Sequence, residues 1–147
     1  MKYLRLFEDF DSYDPYELMI IPPNKKAEML MKEIGDKKPN LNLVNDLIAL
    51  GANLDWQDEF GWTALIKAVR FGESGIVQML IGAGADVNVQ NDNGQTPLHV
   101  AAFIHMGKTD IARMLIDAGA KKDVKDKKGR LPYDLAGTKE LKIMLQP

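Results

Sequence analysis

From residue 58 onward the apolar positions fall into short helical stripes separated by polar, glycine-bearing stretches. Leu65, Ala68 and Val69 recur at i, i+3 and i+4, and Leu98, Ala101 and Ala102 do the same 33 residues later. That spacing is one face of a 3.6-residue helix. The faces are narrow and small-sided, so another helix can approach closely. A second stripe follows each first one: Val77, Leu80 and Ile81, then Ala112, Leu115 and Ile116. Each second stripe ends in Gly-Ala, at Gly84-Ala85 and Gly119-Ala120, where glycine supplies the left-handed residue that stops a helix. The intervening Asp86 to Gly94 is polar, turn-rich and too short for another helix, which predicts a projecting hairpin-like loop. Thr96-Pro97-Leu98-His99 places a capping hydroxyl before a proline suited to the first turn, so a helix starts at Thr96.

These units repeat. Asp58-Glu59-Phe60-Gly61-Trp62-Thr63-Ala64-Leu65 is copied as Asn91-Asp92-Asn93-Gly94-Gln95-Thr96-Pro97-Leu98, and the pairs Gly61/Gly94 and Gly51/Gly84 are both 33 residues apart. Helix, helix and projecting loop at this period resemble the ankyrin repeat, with Thr-Pro-Leu-His and the later Gly-Ala as the specific marks. The resemblance covers roughly residues 24 to 145 in four units, best matched at the centre. It implies an all-α ankyrin-repeat solenoid of stacked helix-turn-helix units with projecting hairpin-like loops. The repeats fall at about 24–57, 58–90, 91–125 and 126–147, after an N-terminal tail or cap segment at 1–23. In the second repeat Thr63-Ala64-Leu65-Ile66 lacks the proline and histidine, which weakens the local hydrogen-bond network.

The flanking units depart from the pattern. Tyr3, Leu6, Phe7 and Phe10 have the spacing of a short amphipathic helix. Asp14-Pro15 and Pro22-Pro23 are expected to break regular structure around Leu18-Met19-Ile20-Ile21. Such a segment either covers the end of the stack or docks on another protein. Asn24 is the expected cap of a helix whose face is Ala27, Leu30, Met31 and Ile34, and Gly35 to Asn40 is a longer loop. Val44, Leu47 and Ile48 then lead to Gly51-Ala52 in register. In the third repeat the glycine spacing is 35 instead of 33, which places two extra residues near Phe103-Ile104-His105-Met106-Gly107. The fourth repeat is a stub with Leu131 at the cap position, ended by a short helix that Thr138 can cap and that bears Leu141, Met144 and Leu145.

With 147 residues and 46% hydrophobic content the chain fits one domain with a useful core. It has no cysteine, which excludes disulfides and thiolate chemistry and leans toward a reducing compartment. The sequence has no apolar run near the roughly 20 residues of a membrane span and no secretory apolar core, so a soluble, intracellular, cytoplasmic protein is expected. The net charge of −2 hides an asymmetry. Residues 1–60 hold 7 Lys/Arg against 12 Asp/Glu, net −5, and residues 61–147 hold 12 against 9, net +3.

Catalytic constellations are missing. His99 and His105 are the only histidines and lack the i, i+4 metal spacing. The resemblance gives His99 a structural role, bonding within the turn and to the neighbouring repeat. Ser12 and Ser74 lack a glycine elbow. Gly82-Ala83-Gly84 ends a helix where a dinucleotide loop would open one, and Asn91-Asp92-Asn93-Gly94 has valine at the first and last calcium-ligand positions. No catalytic residue, metal or cofactor is expected.

Function is therefore expected on the surface. The resemblance implies partner binding along the concave face of loops and first helices. Its variable positions are Glu59, Phe60, Trp62, Arg70 and Phe71 in the second repeat, and Asp92, Asn93, Gln95, Phe103 and Ile104 in the third, with His105 in the insertion. In the fourth they are Lys127, Lys128 and Arg130. Phe60, Trp62 and Phe71 fall off the apolar face already used and are the sharpest candidates, as aromatic side chains make common interface anchors. On this view Trp62→Ala lowers binding and hardly changes Tm. Lys121 to Arg130 carries six positive and two negative charges. It is either a solvated face or a site for an acidic protein segment, the interleaved aspartates making nucleic acid the weaker partner. The expected function is a protein-interaction module, monomeric in isolation. A single-partner regulator that occludes an enzyme's active site is the alternative, and an enzyme the distant one.

Overall fold

The computed structural model describes residues 14–103 and 109–147. The expected helix at Tyr3 to Phe10, and Ile104, His105, Met106 and Gly107 of the insertion, lie outside the described residues. Among the described residues there are nine helices and no strand. A short α1 (Pro15–Met19) precedes α2 (Pro23–Ile34) and α3 (Leu41–Ala49). Then come α4 (Ala64–Phe71) with α5 (Ser74–Gly82), α6 (Pro97–Phe103) with α7 (Thr109–Asp117), and α8 (Pro132–Leu135) with α9 (Lys139–Leu145). Helices α2, α4, α6 and α8 pack in succession to form one layer, and α3, α5, α7 and α9 form a second layer against it. This is the stacked, all-helical architecture expected of ankyrin repeats.

The helices owe their stability to that stacking. With eight residues in α4 and seven in α6, neither is long enough to persist alone, since isolated helices under about 12–15 residues are marginal in water. Both bury more than the narrow face read from the spacing. In α4, Ile66 and Ala64 are buried along with Leu65, Ala68 and Val69, because α2, α5 and α6 all touch this helix.

Thr63 caps α4, its hydroxyl accepting from the Ile66 amide at 3.2 Å, so the cap survives the loss of proline and histidine. Asn40 caps α3, and Thr138 caps α9 by accepting from the Leu141 amide at 3.2 Å. Two expectations at the N-terminal end are corrected. Asn24 lies inside α2, which begins at Pro23, and its side chain instead accepts from Asn53 Nδ2 at 2.9 Å. Pro15 opens α1 instead of breaking structure, with Asp14 accepting from the Tyr16 amide at 2.9 Å. The reason is the same in both places: proline's fixed φ suits the first helical position, where no N–H is needed. Leu18 and Ile21 from this segment are buried in the core, while Met19 and Ile20 are exposed.

The loops stack as closely as the helices. Gly61 and Gly94 adopt φ of 71° and 73°. A Cβ on Gly61 would sit 2.7 Å from the Asp92 nitrogen, and one on Gly94 would sit 2.9 Å from the Lys127 nitrogen. These approaches let the Asp92 amide donate to the Phe60 carbonyl at 3.1 Å and the Lys127 amide to the Asn93 carbonyl at 3.0 Å. Gln57 adds a second tie, its Nε2 donating to the carbonyls of Gly61 at 2.7 Å and Gln90 at 2.9 Å.

Candidate functional site

Each loop is shaped by one short polar side chain that accepts from the amides after it. Asp58 takes the amides of Phe60 and Trp62, both at 2.9 Å. Asn91 takes those of Asn93 at 2.9 Å and Gln95 at 3.0 Å. Asp126 takes those of Lys128 and Arg130, again at 2.9 Å, and also binds the Arg130 guanidinium at 2.9 and 2.7 Å. Burial raises the Asp126 pKa, but the bonds from Arg130 and from the two amides outweigh it and hold the carboxyl below its ordinary value. Arg130 is thereby fixed in place.

His99 joins this loop to α6. Its Nδ1 accepts from the Thr96 amide at 3.2 Å and lies 2.9 Å from the Thr96 hydroxyl. Nδ1 therefore carries no proton, and Nε2–H donates across the repeat boundary to the Arg130 carbonyl at 3.1 Å. This is the bonding the resemblance implied. Burial keeps the imidazole below its ordinary pKa, against the opposing pull of the Arg130 carbonyl, so His99 is a neutral structural group.

Between the loops and the first helices lies a groove of about 420 Å³. It is lined by Trp62, Gln95, Lys128 and Arg130 from the loops and by Arg70, Val100 and Phe103 from α4 and α6. Six of the seven are residues the sequence nominated, brought together from three repeats. Glu59, Phe60, Phe71, Asp92, Asn93 and Lys127 are exposed but do not line it, and Ile104 and His105 lie outside the described residues. Phe71 and Phe103 are 52% and 50% exposed, too much for either to be a core residue. Trp62 is different. It is partly buried and packs against the core, so the expectation that its removal leaves Tm almost unchanged is corrected: the ring serves both groove and fold.

Val100 was missed by sequence reasoning because it falls outside the Leu98/Ala101/Ala102 face. Its counterpart in the preceding repeat shows why it matters. Lys67, 33 residues earlier, reaches across the boundary to donate to the Met31 carbonyl, and its amine lies close to Gly35. Burial lowers the Lys67 pKa, partly offset by Asp58. Valine has no such reach, and the space beside α6 stays open. Aligning the repeats against one another, position by position, would have exposed the Lys67-to-Val100 exchange.

No group of three or more His, Cys, Asp or Glu that could hold a metal ion is found among the described residues, and no helix among them is long and apolar enough to cross a membrane. Stacked helix pairs bearing close-packed loops define a solenoid repeat protein, and a family model of ankyrin repeats in three copies matches residues 30–126. The chain belongs to the ankyrin-repeat family, whose repeats are generally protein–protein interaction modules. It is similar to the Neurogenic locus Notch protein of Drosophila melanogaster, 43% identical over 60 residues, covering 40% of this chain and 2% of the relative. It is also similar to Neurogenic locus notch homolog protein 1 of Danio rerio, 42% identical over 67 residues, 45% of this chain and 3% of the relative. The 2-5A-dependent ribonuclease of Homo sapiens is 37% identical over 75 residues, half of this chain and 10% of the relative. The chain thus spans a small fraction of these relatives' length, within the repeats.

Proposed function

We propose that the chain is a non-catalytic protein-interaction module that binds a protein partner through the groove between its loops and first helices. The observation that carries this reading is the convergence of Trp62, Arg70, Gln95, Phe103, Lys128 and Arg130 on one open groove of about 420 Å³. Aromatic and arginine side chains give large contact area and dominate interface energetics. The stack holds them in place before binding, through the loop-to-loop bonds, the buried Asp126 and the His99 bridge, so little ordering entropy is lost on association. Residues 14–23 serve as a cover for the first repeat, which Leu18 and Ile21 support by their burial in the core.

The test is affinity capture from a lysate of the source cell, comparing the wild type with a Phe103→Ala variant of unchanged circular dichroism. A protein retained by the wild type and lost by the variant supports the groove face. A partner held equally by both refutes it for that partner. An adaptor and an inhibitor would use the same face, and an activity assay on the captured partner separates them.

A further inference from the structure

We infer that the groove takes an extended acidic peptide segment whose carboxylates flank one large apolar side chain. This rests on the reading of the groove as the protein-binding face and adds the chemistry of what enters it. The lining carries three cationic side chains, Arg70, Lys128 and Arg130, and no carboxylate. The remaining lining is aromatic or aliphatic at Trp62, Val100 and Phe103, with Gln95 the neutral polar group. A volume of about 420 Å³ is at the small end of binding pockets, roughly 300–1,000 Å³. It suits a bulky side chain with its adjacent backbone and not a folded domain edge.

The charges are placed for recognition at the rim. Arg70 and Lys128 are exposed, one at the end of α4 in the second repeat and one on the loop that opens the fourth, with α6 of the third repeat packed between α4 and α8. Arg130 is committed in part to Asp126, which orients it and neutralises much of its charge. A segment running along the stack from the second repeat to the fourth would pass from Arg70 to Val100 and Phe103 of the third repeat and on to Lys128. A peptide is favoured over a nucleic acid because Asp126 underlies one of the three cations, Glu59 and Asp92 are exposed on the adjoining loops, and the chain is net negative.

The experiment is selection of a random 12-residue peptide library displayed on phage against the whole chain. Fluorescence anisotropy of the best peptides, and of a 12-nucleotide oligothymidylate, follows on the wild type and on Arg70→Glu/Lys128→Glu and Phe103→Ala variants. The selected peptides are expected to carry Asp or Glu on both sides of a large apolar residue. Their affinity should fall about tenfold on the double charge reversal and fall steadily with added salt. Peptides lost on Phe103→Ala but without acidic character would overturn this inference and leave the groove as the binding face. Peptides indifferent to both variants would overturn the inference and the groove reading together. Failure to enrich any peptide, or tighter binding of the oligothymidylate, would overturn the extended acidic segment.

Discussion

His99 is fully buried, and the Thr96 amide that donates to Nδ1, together with the Nε2 bond to the Arg130 carbonyl, fixes the neutral ring with the proton on Nε2. Protonation would put a second N–H on Nδ1, facing the Thr96 amide that now donates to it. Because the folded pKa lies below the unfolded value of about 6.5, the contribution to stability is complete above that pH and is lost as pH falls through the folded pKa. Urea unfolding should show stability declining as pH drops below about 6.5, and His99→Ala should abolish that part of the decline. The substitution itself should cost about 1–3 kcal/mol at pH 8, since it leaves buried partners unpaired. Asp126 acts at lower pH. Its lowered pKa makes its contribution complete above about 3.9 and lost as pH falls through the folded value.

At the scale of elements, the positive-φ glycines of the loops separate two effects that the sequence alone shows as one. Gly94 and Gly129 have φ of 73° and 75°, but a Cβ on Gly94 meets the Lys127 backbone at 2.9 Å, whereas one on Gly129 meets nothing within 4 Å. Gly129→Ala should therefore cost only the left-handed conformation, about 1–2 kcal/mol. Gly94→Ala should cost clearly more, because the next loop must move, and urea midpoints of the two variants measure the difference. The period, the two helices per unit, the Gly-Ala stops and the threonine caps were all legible, since each is a local signal in a few consecutive residues. Asn24 was misjudged because a proline competing for the helix start outranked a good capping side chain. Most of the groove lining was legible at Trp62, Arg70 and Phe103. Val100 was not, because the exchange of Lys67 for Val100 matters only once two repeats lie side by side.

At the scale of the whole molecule, the stacked repeats are the frame that carries the groove proposed as the binding face. Removing rings that are about half exposed should leave the frame intact: Phe71→Ala and Phe103→Ala should each change unfolding free energy by no more than about 0.5 kcal/mol. Trp62→Ala should cost about 1 kcal/mol or more, as its ring packs against the core. Thermal and urea unfolding of the three variants distinguish these outcomes, and they make Phe103 a cleaner probe of binding than Trp62. The most direct measurement is photo-crosslinking of the captured partner from a benzophenone side chain placed either at Phe103, in the groove, or at Gln78, exposed on α5 in the second layer. A crosslink from position 103 and none from position 78 is the predicted result. A crosslink from position 78 and none from position 103 would place the partner on the opposite face and contradict the groove as the site of binding.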